Sequence, residues 1–295
     1  MKNDKGRVGV IGATALVGAC LLPLLVEEGY GVAAFSRSAL TIKKQPAKQN
    51  IAWHPLSIKD APGAGRITKW VCLAPIWVLP QYFPLLLSCG AKHVVAVSST
   101  SRFTKELSAD SKEKILADRL KQGEEVFISW AGQNNLQWTI LRPTLIYGLG
   151  RDKNISVIAG FIRRFCFFPL MGEARGLRQP VHARDVALAC IAALSTKKAF
   201  NRSYNISGGE TLTYRQMVGK VFESLGKKPR FVVLSLWLFR AGIFILRFLP
   251  RFRHWSAAMA ERMNQNLVFD HHEATNDFGF APRKFELSQE DLSGT

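Results

Sequence analysis

The chain of 295 residues is 47% hydrophobic and 21% charged, a globular composition able to fill a substantial core, which excludes a disordered or collagen-like protein. Five scattered cysteines, Cys20, Cys72, Cys89, Cys166 and Cys190, form no C-x-x-C pair; they argue against a disulfide framework or a structural zinc site and fit a reducing compartment. Forty Lys and Arg against 22 Asp and Glu leave a net charge of +18, and residues 151–255 alone hold 19 basic against 5 acidic side chains. A basic stretch of that kind needs an anionic partner, whether nucleic acid, a phosphorylated ligand or an anionic membrane face.

Residues 1–7 are charged and lead directly into an apolar run, so no signal peptide is expected. Residues 8–11 predict a first buried strand, 16–26 a helix that stops at Gly29, and 31–35 a second strand. Residues 71–74 and 93–97 are further strand candidates. Strands alternating with helices imply a parallel sheet covered on both faces, wound with right-handed crossovers. The expected fold class is therefore α/β, a Rossmann-like doubly wound parallel sheet.

The turn after the first strand carries chemistry. Residues 12–18 read G-A-T-A-L-V-G, with Gly12 and Gly18 in the outer positions of a G-x-x-G-x-x-G pattern and Ala15 in the middle. Such a turn lets backbone N–H groups at a helix N-terminus approach a pyrophosphate, which makes Gly12, Thr14, Ala15, Leu16, Val17 and Gly18 candidate cofactor contacts. The end of the second strand reads Phe35-Ser36-Arg37-Ser38 without an acid, and Lys43 and Lys44 follow. An acid there favours NAD through the ribose hydroxyls, whereas Arg37 can pair with a 2′-phosphate. NADP(H) is the expected cofactor, with NAD(H) as the alternative.

These pieces, with V-S-S-T at residues 97–100, L-R-P-T-L-I-Y-G at 141–148, Q-P-V-H-A-R-D-V-A at 179–187 and Y-N-I-S-G-G-E at 204–210, resemble the extended or atypical short-chain dehydrogenase/reductase superfamily, in its NAD-dependent epimerase/dehydratase group. D-F-G-F-A-P-R at 277–283 resembles a tail of the atypical branch, which includes a complex I accessory subunit. The resemblance implies cofactor contacts from Ser36, Arg37, Ala74 and Pro143 as well. It matches the family's substrate-binding Ser/Thr to Thr100. The family's Tyr-x-x-x-Lys pair, in which the lysine holds the nicotinamide ribose and lowers the tyrosine pKa, belongs on the next long helix. Aligning Glu125 with the family's helix glutamate puts Lys121 in the lysine slot and Ala117 in the tyrosine slot, and no tyrosine lies between Thr100 and Arg142. Either Tyr82, Tyr147 or His182 supplies a proton from elsewhere, or the protein binds dinucleotide without turnover.

The resemblance divides the chain into an NAD(P)-binding domain over residues 1–150 and a smaller, mostly helical substrate lobe over 151–295, some of whose segments return to the sheet. Asp185 is expected to cap a helix over 186–194, and His182 to be a hinge or core residue. Arg178 and Arg215 are candidates for binding a substrate diphosphate. Residues 231–250 are long enough to span a bilayer but carry Arg240 at the middle, and Arg240, Arg247, Arg251 and His254 share one helical face. An apolar helix with one basic stripe suits an anionic interface; residues 161–170 repeat the aromatic and basic mixture. The expectation is a cytoplasmic protein, peripheral on the membrane's cytoplasmic face, with a small-molecule substrate and neither metal nor nucleic acid. Its function is expected to be that of an NADP(H)-binding epimerase, dehydratase or reductase acting on a sugar nucleotide or a lipid-like alcohol or carbonyl. The alternative is a non-catalytic dinucleotide-binding subunit or regulator of a membrane-associated complex.

Overall fold

The computed structural model describes residues 5–37, 50–57, 63–106, 108, 110–234 and 262–293. Strands β1 (Arg7–Ile11), β2 (Gly31–Ser36), β3 (Ile51–Pro55), β4 (Lys69–Cys72), β5 (His93–Val97) and β6 (Gln137–Pro143) alternate with helices. Four two-residue or four-residue strands follow: β7 (Ile146–Tyr147), β8 (Phe168–Met171), β9 (Leu177–Arg178) and β10 (Val181–His182). Next come β11 (Arg202–Ile206), β12 (Leu212–Thr213) and β13 (Phe231–Leu234). Seven strands form one sheet in the order β11-β6-β5-β4-β1-β2-β3, every neighbour parallel. Val8, Val10, Val71, Val94 and Val95 are fully or almost fully buried, as side chains must be when helices cover both faces of a parallel sheet. The strand order reverses between β1 and β4, so a crevice opens beyond their carboxyl ends.

Helix α1 (Leu16–Glu27) covers one face, helix α2 (Phe83–Ser88) and the short α3 (Ser101–Thr104) lie along the chain that follows, and the long α4 (Ser111–Gln133) covers the other face. Helices α5 (Ile155–Phe165), α6 (Ala183–Ser195), α7 (Tyr214–Ser224), α8 (His272–Phe278) and α9 (Gln289–Leu292) complete the described chain. Helix α6 packs beside α1 in the first core, while α5 and α7 enclose a third core with β8 and Phe285. The α/β doubly wound expectation holds, and β11 returns from the second half of the chain to the sheet edge.

Three expectations need correction. The strand expected over 71–74 is β4, which runs Lys69–Cys72, with the Leu73 N–H still donating to the Ile11 carbonyl at 2.8 Å just past its end. The helix expected over 186–194 begins at Ala183, and its cap is His182, whose Nδ1 accepts the Arg184 N–H at 3.0 Å; Asp185 lies inside the first turn. The helix expected from residue 231 is strand there instead: Phe231–Leu234 pairs in parallel with Phe168–Met171. The rest of residues 231–250, with Arg240 and Arg247, lies outside the described residues, as do Arg251, His254, Lys43 and Lys44. Among the described residues no helix is long and apolar enough to cross a membrane.

Charged side chains of the tail stitch it to the sheet domain. Buried Asp185 accepts the Arg283 N–H at 3.0 Å and the Arg283 Nε at 2.9 Å. At the sheet edge, Asp277 accepts the Tyr204 hydroxyl at 2.7 Å and pairs with Arg202. Because Nδ1 of His182 is an acceptor, its proton sits on Nε2, which donates to Asp291 Oδ1 at 3.1 Å. Burial alone would raise the Asp291 carboxyl, but hydrogen bonds from His182, Ser288 and Leu149 hold it well below the usual carboxylate range.

A carboxyl whose folded pKa lies below its unfolded value of about 3.9 stabilises the fold above that pH and loses this contribution as the pH falls further. Asp291→Asn should therefore lower stability at pH 7 and flatten the loss of stability between about pH 4 and pH 2. Urea midpoints measured across that window check it; parallel acid limbs in the two proteins would contradict the assignment.

Candidate functional site

The crevice is lined first by the turn from β1 into α1. Gly12 adopts φ +79°, and a Cβ there would lie 2.7 Å from the Ala74 nitrogen. At Gly18 a Cβ would collide with the Ala13 carbonyl, so glycine lets α1 seat tightly against the strand end. Ala15 donates its N–H to the Gly12 carbonyl at 2.9 Å and closes the turn. Helix α1 has neither a side-chain cap nor an acidic residue in its first turn. Its opening N–H groups are thus available to an anion that the helix dipole also favours. Thr14 is exposed at the turn, and Arg151 places Nη2 3.5 Å from its carbonyl, a cation beside the turn that the sequence did not single out. Backbone, space and charge here fit a dinucleotide pyrophosphate.

Ala15, Leu16, Val17 and Ala74 line a cleft of about 300 Å³ together with Ser98, Ser99, Leu116 and Leu120. Ser36 is buried at the end of β2 and Arg37, next in line, is exposed. Pro143 is buried away from this cleft; its carbonyl accepts both the Thr100 N–H at 3.1 Å and the Thr100 hydroxyl at 3.2 Å. Thr100 lines the neighbouring cavity instead.

The rotation of α4 decides what faces the cleft, and it differs from the expected register by one residue. Glu124, not Glu125, is the buried glutamate, with 0% exposure. Its carboxylate accepts Nη2 of Arg142 at 2.7 Å, Nε of Arg142 at 3.0 Å and the Ser98 hydroxyl at 2.6 Å, and it pairs with Arg102. Lys121 is one position off that stripe and exposed, and Ala117 is buried without lining the cleft. Four and eight residues before Glu124, the cleft-facing positions hold Leu120 and Leu116. A signal for this was present: Ala117, Leu120, Phe127 and Ala131 form an apolar stripe at helical spacing that runs through Glu124, not Glu125.

The alternative proton donors lie elsewhere. The Tyr147 hydroxyl is buried and donates to the Glu286 carbonyl at 3.2 Å, and burial pushes its pKa well above the ordinary phenol value. His182 is held between Arg184 and Asp291. Tyr82 is buried in the core beneath α4. Among the described residues lining the dinucleotide cleft there is no tyrosine, lysine, histidine or carboxylate.

A second cavity of about 470 Å³ adjoins the cleft at Ser99, Ser101 and Ile146. Arg178 lines it, but its guanidinium donates to the carbonyls of Leu177, Gln265 and Arg262 and thereby fastens the chain after residue 261. Burial lowers its pKa to about 10. Arg215 does not line the cavity; it is exposed, with its guanidinium carbon 4.6 Å from the Phe231 ring centre. Lys105 and Arg262, which sequence reasoning did not identify, do line it.

Residues 85–207 match the family model described as the NAD dependent epimerase/dehydratase family. Short-chain dehydrogenase/reductase family 42E member 1 of Mus musculus is 26% identical over 176 residues, 54% of this chain and 44% of that protein. Mitochondrial NADH dehydrogenase (ubiquinone) 1 alpha subcomplex subunit 9 of Arabidopsis thaliana is 28% identical over 104 residues, 35% of this chain and 26% of that protein. The chain spans less than half the length of the curated relatives it matches. The solved UDP-glucuronic acid 4-epimerase of Bacillus cereus, in complex with UDP-glucuronic acid and NAD, superposes with a TM-score of 0.70 over 98% of this chain and 97% of that one. At 15% identity, that likeness is one of fold.

Removing one partner of a buried ion pair leaves the others uncompensated, at a cost of about 3–5 kcal/mol. Glu124→Leu should destabilise the protein by that amount in urea unfolding, whereas Lys121→Ala should stay within about 0.5 kcal/mol of wild type. Equal effects of the two changes would show that α4 is rotated differently.

Proposed function

We propose that this chain, whose residues 85–207 match the NAD dependent epimerase/dehydratase family model, binds a dinucleotide at the turn over residues 12–18 without the usual turnover of that family. One observation carries this: the cleft-facing positions of α4, four and eight residues before the buried Glu124, are Leu120 and Leu116, while Lys121, the expected lysine, is exposed. A bound nicotinamide supplies hydride exchange. The leucines can pack against such a ring and exclude water from it, but they can neither hold a proton nor hydrogen-bond a ribose. Ser98, whose hydroxyl donates to Glu124, is committed as well. This favours a dinucleotide-binding subunit or regulator over an epimerase acting on sugar nucleotides.

The preferred cofactor in this proposal is NADP(H). Support comes from Arg37, exposed directly after β2, and from the absence of an acid at that strand end. A charge-assisted pair with the 2′-phosphate contributes about 1.5–3 kcal/mol, or roughly ten- to a hundredfold in affinity. Peripheral contact with an anionic membrane is proposed on the outward side of α5. There Phe165 is 39% exposed, the Arg164 guanidinium carbon sits 5.3 Å from its ring centre, and Arg163 is exposed beside it.

Calorimetry should show NADPH binding about ten- to a hundredfold tighter than NADH, with the difference lost in Arg37→Ala. The chain should not epimerise UDP-glucose, whereas rapid epimerisation would overturn the non-catalytic assignment. Equal affinities for the two cofactors would overturn the phosphate contact.

For the membrane contact, co-sedimentation with vesicles should require anionic lipid and weaken with salt. It should fall in Arg163→Gln/Arg164→Gln and in Phe165→Ser. Pelleting that is independent of vesicle charge, or absent, would rule the contact out.

A further inference from the structure

The cavity beside the dinucleotide cleft has a cationic chamber and an apolar extension. Lys105, Arg178 and Arg262 line the chamber, and none of its lining residues is a carboxylate. Among the described residues the acids close by are Glu113, 3.9 Å from the Lys105 Nζ and paired with Arg262, and Asp110, which also acts on Lys105. Lys105 and Arg262 share Glu113, whereas Arg178 is bonded to carbonyls and stacked on the Tyr214 ring at 5.5 Å. Burial, and then the Arg262 charge, lower the Lys105 pKa against the opposing pull of Glu113 and Asp110.

Beyond Tyr214 and Met263 the chamber adjoins a third space lined by Val157, Ile158, Phe161, Phe168 and Met217. Except for the exposed Lys153 and for Asn154, its walls are apolar or aromatic. A nucleoside diphosphate sugar, polar at both ends, would set a base or a hexose against those walls and leave its hydrogen-bonding groups unpaired. A ligand that matches both halves has one charged end and one apolar chain.

We infer that the chamber and its extension bind a single-chain amphiphile with an anionic headgroup, a carboxylate or a phosphate monoester, seated between Lys105 and Arg262 with its chain running past Tyr214 toward Phe161. The headgroup end then faces Ser99 and Ser101, the residues shared with the dinucleotide cleft. This deepens the proposed function by naming a ligand class for the neighbouring cavity, and it relies on that proposal only for what occupies the cleft.

The test is calorimetric titration of the full chain with hexanoate, octanoate and decanoate, and with decyl phosphate, 1-decanol and UDP-glucose. NADPH is titrated separately on the same samples. Each additional pair of methylenes should tighten carboxylate binding by about tenfold, and 1-decanol should bind at least tenfold more weakly than decanoate. Lys105→Gln should weaken decanoate and decyl phosphate by about tenfold and leave 1-decanol unchanged. Val157 is 53% exposed, so Val157→Glu should fold normally and weaken decanoate while sparing hexanoate. Affinity independent of chain length, equal binding of 1-decanol, or UDP-glucose binding more tightly than decanoate would each overturn the inference. Decanoate binding in a chain that fails to bind NADPH would uphold it while overturning the dinucleotide proposal. NADPH binding without decanoate binding would do the reverse.

Discussion

The buried carboxylate of Glu124 fixes how α4 meets the sheet, and much of the site's character follows from that contact. A carboxylate with no exposure survives only when it is paired and hydrogen-bonded, and its partners come from three separate places. Arg142 projects from β6, Ser98 follows β5, and Arg102 belongs to α3. Rotating the helix by one residue would bury Glu125 without these partners and strand two arginines. The locked rotation turns Leu116 and Leu120 to the cleft and Lys121 to solvent. The same ion cluster thus fixes which apolar side chains of α4 line the cleft.

A second set of charged contacts joins segments of the second half of the chain to the sheet domain. Asp185 and Arg283 join α6 to the tail, Asp277 ties α8 to the edge strand β11, and His182 with Asp291 holds α9 against the loop at Leu149. The chemistry of these residues is structural, since each hydrogen-bonding atom named is engaged within the protein.

The excess positive charge has a local consequence at the second cavity. Lys105, Arg178 and Arg262 line a chamber with no carboxylate among its described lining residues, while the walls beyond Tyr214 turn apolar. Charge and hydrophobicity that alternate along the sequence become, in the fold, a charged chamber with an apolar end.

The sequence by itself determined the parallel α/β architecture, because buried strands and the glycine turn leave periodic and compositional marks that need no partner to be read. It also determined the glycine turn between β1 and α1: Gly12 and Gly18 are spaced by local backbone geometry. The apolar stripe of Ala117, Leu120, Phe127 and Ala131 pointed to Glu124 as the inward glutamate, but the pairing of its carboxylate with Arg142 and Ser98, 18 and 26 residues away, came only from the fold. Nor could the sequence show that Arg178 spends its donors on carbonyls near residue 265, that Arg215 faces outward, or that Phe231 begins a strand beside Phe168. Local pattern is set by neighbours in the chain, whereas the direction a side chain faces is set by whatever the fold brings against it. Tertiary structure alone decided which residues reach the cleft.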